Sequence, residues 1–275
     1  MSTLRIFSLF LTAFLFGLSS CTSGEDGGDQ GSSNQHDGAH AHDDDSMHSG
    51  AITLTPLTES PRYPEATLAL NAPDGSAASG TISFDFDVDG YELGTQTADA
   101  AGKGLANSGK GQHIHLILNN GPYSAHYEPD FDKELDDGNY VMLAFLSRSY
   151  HESVKNGSAV VSQFTVGEVE ADTADLSAPH LFYSRPKGTY TGADIENVLL
   201  DFYPVNVELS PEGYKVRATI NGEAFTLDTW QPYLIGGAEP GEMIVKLELL
   251  DAAGELVPGP FNVVERSVTL QEEAH

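Results

Sequence analysis

A largely apolar run spans Ile6 to Leu18; apolar residues then all but vanish and return after Gly50 as short alternating segments. Strict alternation of apolar and polar positions marks half-buried strands. It predicts Thr67 to Leu70, Thr81 to Val88, His113 to Leu118, Tyr123 to Glu128, Tyr140 to Ser147 and Ala159 to Val166. Gly, Pro, Asn and Asp separate these segments, and no stretch repeats apolar residues at helical spacing between capping residues. The run Tyr140 to Leu146 departs from the pattern, being apolar on both faces. A sandwich strand alternates unless something covers its outer side. The Gly-rich stretch Gly94 to Gln112 is the expected cover.

One pair of strands carries the sharpest chemistry. Asn120-Gly121 lies between two alternating runs, the strongest short signal for a β-hairpin, because a type I′ turn needs positive φ at both central residues. With that turn, Leu118 faces Tyr123, Leu116 faces Ala125 and Ile114 faces Tyr127, an apolar set for a core. The other face sets His115 opposite His126 and His113 opposite Glu128. Directly opposed side chains have Cβ atoms roughly 5 Å apart. A turn one residue earlier, at Asn119-Asn120, would instead set Ser124 against His115. The strand from Tyr140, antiparallel to this one, would bring His151 to the same face.

The strands recur. Phe84-Asp85-Phe86 returns as Leu200-Asp201-Phe202, Leu118-Asn119-Asn120-Gly121 as Ile220-Asn221-Gly222-Glu223, and Val160-Val161 as Val263-Val264. One unit of roughly 100 residues is duplicated, with the insertion 94–112 in its first copy. Strands of this spacing predict an all-β chain of two tandem immunoglobulin-like sandwiches, 51–170 and 176–275, each folding alone, with the boundary between Gly167 and Pro179. The second copy has Lys215 and Arg217 in place of His113 and His115, so the fold itself does not demand the histidines.

Gly111-Gln112-His113-Ile114-His115, Leu146 to Ser153, Tyr183 to Tyr190, Asp201-Phe202-Tyr203 and Trp230-Gln231-Pro232-Tyr233 together resemble a family of uncharacterised secreted bacterial proteins. The resemblance spans most of the chain after the leader and implies export, with no activity to transfer.

The N-terminus agrees with export. Arg5 precedes the apolar run, which has the length of a signal-peptide core rather than a membrane span. It ends Leu18-Ser19-Ser20-Cys21, which resembles a bacterial lipobox. The resemblance implies a signal peptide over 1–21, acylation at Cys21, and anchoring in the outer membrane, with Glu25-Asp26 pointing to the cell surface. Cys21 is the only cysteine, so no internal disulfide staples the fold. Residues 22–50 are Gly, Ser, Asp and His with almost nothing apolar, which predicts a disordered tether. The formal net charge of -28 disfavours a nucleic-acid partner and favours cations.

The candidate chemistry is therefore metal binding. His113, His115, His126 and His151, with Glu128, form the expected set for Zn or Cu. His36, His40, His42 and His48 in the tether form a weaker one. Gly104 to Lys110 imitates a phosphate loop, but Gly111 stands where Ser or Thr belongs and a strand follows. Asp85, Asp87 and Asp89 imitate half a calcium loop, but alternate with Phe84, Phe86 and Val88 as an acidic strand face. No nucleophile motif surrounds Ser149, His151 or Ser153, so no enzyme is expected. The reading is a non-enzymatic surface lipoprotein holding a transition metal. The alternative is an adhesion or recognition module for a surface protein or glycan, with structural histidines. Replacing Cys21→Ser should release the protein from the membrane fraction or leave its leader uncleaved; unchanged fractionation with a mature N-terminus elsewhere would refute acylation.

Overall fold

The computed structural model describes residues 51–273, so the leader, the tether and their histidines lie outside the described residues. The chain is all-β. After β1 (Thr53–Pro56), a first sandwich runs through β2 (Thr67–Ala72), β3 (Gly75–Ala77), β4 (Gly80–Asp89), β5 (His113–Leu118), β6 (Ser124–His126), β7 (Asp130–Leu135), β8 (Gly138–Ser147) and β9 (Val160–Val166). A second follows with β10 (His180–Arg185), β11 (Thr189–Thr191), β12 (Val198–Val205), β13 (Lys215–Ile220), β14 (Glu223–Leu227), β15 (Tyr233–Gly236), β16 (Gly241–Leu250) and β17 (Val263–Gln271).

The duplication read from sequence is visible in the sheets. The first sandwich packs β2-β4-β7 on β3-β9-β8-β5-β6; the second packs β10-β12-β15 on β11-β17-β16-β13-β14. In each copy the last long strand pairs in parallel with a short strand near the start, β3 with β9 and β11 with β17. Each copy has its own apolar centre, around Phe84, Ile114, Met142 and Phe164 in the first and Tyr183, Phe202, Val216 and Leu247 in the second.

Two features depart from the expected partition. β1 adds to β15 as the edge of the second sandwich, with Leu54 opposite Ile235, so the expected span 51–170 gives its first strand to the other unit. The outer face of β5 and β8 is covered by the second sandwich rather than by 94–112. Ile117, Val141, Leu143 and Phe145 pack against Phe182, Tyr203 and Phe261. Phe145 stacks on Tyr203 with ring centres 5.2 Å apart. The two-sided apolarity of β8 thus has a simple cause: one face serves its own sandwich and the other serves the neighbour. The stretch 94–112 braces the segment after β8, Thr97 and Ser149 exchanging two hydrogen bonds of 3.2 and 2.9 Å.

Truncating Phe145→Ala should destabilise the chain by about 3–5 kcal/mol, since it opens a cavity between two sheets. The exposed Ile244→Ala on β16 should shift stability by no more than about half a kcal/mol. Urea midpoints compare the two; equal effects would show that the contact between sandwiches carries no stability.

Candidate metal centre

The hairpin turn sits one residue earlier than the Asn-Gly rule places it. Asn119 and Asn120 have φ of 49° and 51°, and the Gly121 N–H donates to the Leu118 carbonyl at 2.8 Å. Both asparagines are held by neighbours. Asn119 Oδ1 accepts from the Val141 N–H at 2.7 Å. Asn120 Nδ2 donates to the Leu181 and Phe261 carbonyls, and its Oδ1 accepts from the Tyr183 N–H at 2.9 Å, all in the second sandwich. Pro122, expected to pair with Asn119, has no N–H to offer a ladder. One extra residue is accommodated before β6, and His115 pairs with Ala125 while His126 pairs with Ile114.

A one-residue slip sends every side chain of a strand to the opposite face. His126 therefore leaves the cluster. It stacks on Phe131 with ring centres 3.4 Å apart and bonds Ser124 Oγ at 2.7 Å. Glu128 is exposed. Neither joins the expected ligand set. Tyr123 and Tyr127 arrive instead: the Tyr123 ring stacks on His115 at 3.7 Å, and the Tyr127 ring lies 5.1 Å from His113. Sequence reasoning missed Tyr123 because it placed this residue on the core face.

His113, His115 and His151 do converge, with one ligand nitrogen from each lying within 4.8 Å of the others. β5 supplies the first two at alternate positions. His151 comes from the tight segment after β8 and has φ 69°, a left-handed conformation that is uncommon and costly outside glycine. The buried Arg148–Glu152 ion pair at 3.0 Å spans this segment, and Arg148 also donates to the Ser153 carbonyl. His113 Nδ1 lies 2.8 Å from the Gly111 carbonyl, which only accepts, so that nitrogen carries the proton and Nε2 keeps a lone pair. Around this Nε2 stand His115 Nε2 at 2.9 Å and His151 Nδ1 at 3.1 Å. One lone pair serves one proton well, whereas a single cation accepts all three. The Gly111 carbonyl on His113 and Ser184 Oγ, 3.3 Å from His115 Nδ1, are outer partners of the kind that orient metal-binding imidazoles.

Gly111 itself is held by space. Its φ is 88°, and a Cβ would meet the Gly94 backbone at 2.6 Å. Burial keeps the imidazoles neutral. It lowers His113 to about 4 against an opposing pull from the Gly111 bond, and lowers His115 well below the ordinary value, helped by His113, His151 and Arg185. His151 is lowered by burial, then by Arg185, His113 and Lys187.

Other candidates resolve into structure. Asp85, Asp87 and Asp89 form the exposed face of β4. Lys110 lies over the Tyr127 ring at 5.3 Å. Ser153 Oγ is 2.6 Å from Lys155 Nζ, but the amine is engaged by Asp201 at 2.6 Å and Ser153 is fully buried, so this trio braces the chain. Trp230 donates to the Phe202 carbonyl at 2.9 Å and packs edge-on against Tyr203. No helix among the described residues is long and apolar enough to cross a membrane.

Fold and site together define an all-β protein of immunoglobulin-like sandwiches with a buried imidazole cluster where the two sandwiches meet. No protein-family model matches the chain, and no curated protein does. Among solved structures it is similar to the fibronectin(III)-like modules of Clostridium thermocellum CbhA, at 11% identity over 76% of this chain and 98% of that one, with a TM-score of 0.28. It is similar also to the two tandem V-type regions of VCBP3, a v-region-containing chitin binding protein, at 8% identity over 74% and 99% of the chains, TM-score 0.21. A third is SGBP-B of a Bacteroides ovatus mixed-linkage glucan utilization locus, solved with a heptasaccharide, at 10% identity over 74% and 70%, TM-score 0.23.

Histidines kept neutral by burial make stability depend on pH with a defined sign. Above the ordinary value of 6.5 neither state binds protons at these rings. As pH falls from 6.5 toward about 4, the unfolded chain takes up protons that folded His113 refuses. Stability should therefore fall in that window by about 1.4 kcal/mol per pH unit for each such imidazole. Urea midpoints at pH 7.5 and 5, with a chelator present, measure it; His113→Gln should flatten the slope.

Proposed function

We propose that this protein is a non-enzymatic lipoprotein, anchored to the bacterial outer membrane through acylated Cys21, that binds a transition-metal ion, Zn or Cu, at His113, His115 and His151. One observation carries the reading: His113 Nε2, which keeps its lone pair, has His115 Nε2 at 2.9 Å and His151 Nδ1 at 3.1 Å. Nitrogens bound to one ion at 2.0–2.1 Å lie roughly 2.9 Å apart at right angles and 3.4 Å apart in a tetrahedron. The two spacings to His113 Nε2 fall in that range, and all three nitrogens lie within 4.8 Å of one another. The imidazoles are neutral in the folded chain, so binding need not displace protons from them near neutral pH.

The second reading, an adhesion or recognition module for a surface protein or glycan, draws on a different fact. His115 is fully buried, stacks on Tyr123 and reaches Ser184 of the second sandwich, as a purely structural residue would. It requires no ion.

The full chain with His36, His40, His42 and His48 replaced by Gln separates the two. Loaded with Zn or Cu and dialysed, it should retain one ion per chain by metal analysis. At a free-metal concentration of 100 Kd, the added stability is about 2.7 kcal/mol, a rise in Tm of roughly 5–10 °C for a chain of this size. His113→Ala and His115→Ala should abolish retention, while His126→Ala and Glu128→Gln should leave it unchanged. No retained ion and no thermal shift would leave only the structural role.

A further inference from the structure

The three histidines leave the site short of charge. A divalent ion on three neutral imidazoles carries two positive charges, and Glu128, exposed and outside the cluster, does not offset them. Two more cations stand close by. Lys187 Nζ lies 4.4 Å and the Arg185 guanidinium 5.3 Å from the centre of the Tyr123 ring. The ion pairs of the described residues engage other cations: Lys103, Arg148, Lys155, Arg217 and Lys246. A cation arriving here needs a negative ligand, and no carboxylate belongs to the cluster.

One side chain is placed to supply it. Tyr123 is buried, its ring lies flat on His115 at 3.7 Å with 15° between planes, and Tyr123 Oη is 3.4 Å from His151 Nδ1. That nitrogen is the one side-chain partner recorded for this hydroxyl among the described residues. Tyr127, the other phenol nearby, is instead engaged by Ser108 Oγ at 2.7 Å. Taken in turn, His115, His113, His151 and Tyr123 form a series of donor atoms spaced 2.9, 3.1 and 3.4 Å. These are the spacings of neighbours around one ion, running from right-angle to tetrahedral separation at about 2.0–2.1 Å per bond.

We infer that Tyr123 is the fourth ligand of the histidine site and that its oxygen makes the site selective for Cu(II) over Zn. This rests on the metal-binding reading above. On coordination the phenol O–H bond breaks, the proton passes to solvent, and the phenolate oxygen binds the ion, removing one of its two positive charges. A mixed nitrogen and oxygen set suits Cu(II), which also stands above Zn in intrinsic affinity.

The test uses the full chain with the four tether histidines replaced by Gln, titrated with CuSO4 and, separately, with ZnSO4. The parent should bind one Cu(II), tighter than Zn, and show a visible phenolate-to-copper charge-transfer band. Tyr123→Phe keeps the ring that stacks on His115, so the fold is preserved. It should still bind copper, lose the band, and bind at least about tenfold more weakly, the scale that even outer partners of ligands command. Copper bound with dependence on His113 and His115 but with no band, or a band that survives in Tyr123→Phe, would overturn the role of Tyr123 and leave the histidine site standing. No stoichiometric copper in either chain would overturn both.

Discussion

The structure depends on one contact: the sheet of β5 and β8 laid face to face on the outer side of β10 and β12. Immunoglobulin-like sandwiches usually present such a face to water. Here Ile117, Leu143 and Phe145 meet Phe182, Tyr203 and Phe261, and burying each side chain of this size contributes about 1.5–3 kcal/mol. The Asn119-Asn120 turn extends that contact. Its second asparagine satisfies two carbonyls and one N–H of the other sandwich, and Arg266 of β17 reaches back to the Asn120 and Gly121 carbonyls at 2.8 and 2.7 Å. β1, lying before the first sandwich in the chain but pairing within the second, ties them again.

The histidines lie inside this contact, which explains their unusual state. A buried polar group without a partner costs free energy, and a buried charge costs more. Most polar groups here are matched: Arg148 with Glu152, Lys155 with Asp201, Thr97 with Ser149. The three imidazoles meet at His113 Nε2 and each has one further partner, Gly111, Ser184 or Tyr123, while Arg185 Nε and Arg266 Nη1 are buried without a hydrogen-bond partner.

The second copy of the fold shows what the same sheet does where its outer face is only half-buried among the described residues. Lys215 and Arg217 occupy the positions of His113 and His115, and Arg217, 39% exposed, pairs with Glu248 at 2.8 Å in place of any cluster. The backbone is shared and the use of its outer face is not. The difference follows from burial. Water screens a surface ion pair cheaply, whereas a covered face retains polar groups only where each finds a partner.

How much of this was legible from sequence follows from the range of the interactions involved. The sandwich class and the shared face of His113 and His115 follow from alternation within a few residues, whereas the strand expected over Tyr123 to Glu128 is only Ser124–His126, with its faces exchanged. The two-sided apolarity of Tyr140 to Leu146 announced a cover, but a strand does not encode what covers it, and the second sandwich rather than 94–112 does so. The hairpin register was decided by partners distant in sequence. Local turn preference favoured Asn120-Gly121, yet Asn120 makes three hydrogen bonds to the second sandwich only if the turn moves back by one. That shift exchanged His126 for Tyr123 beside the histidines. Residue types and strand period determined that imidazoles would gather on β5; which side chains complete their circle was left to the packing of one sandwich against the other, because only tertiary contacts outweigh the small energy that separates neighbouring turns.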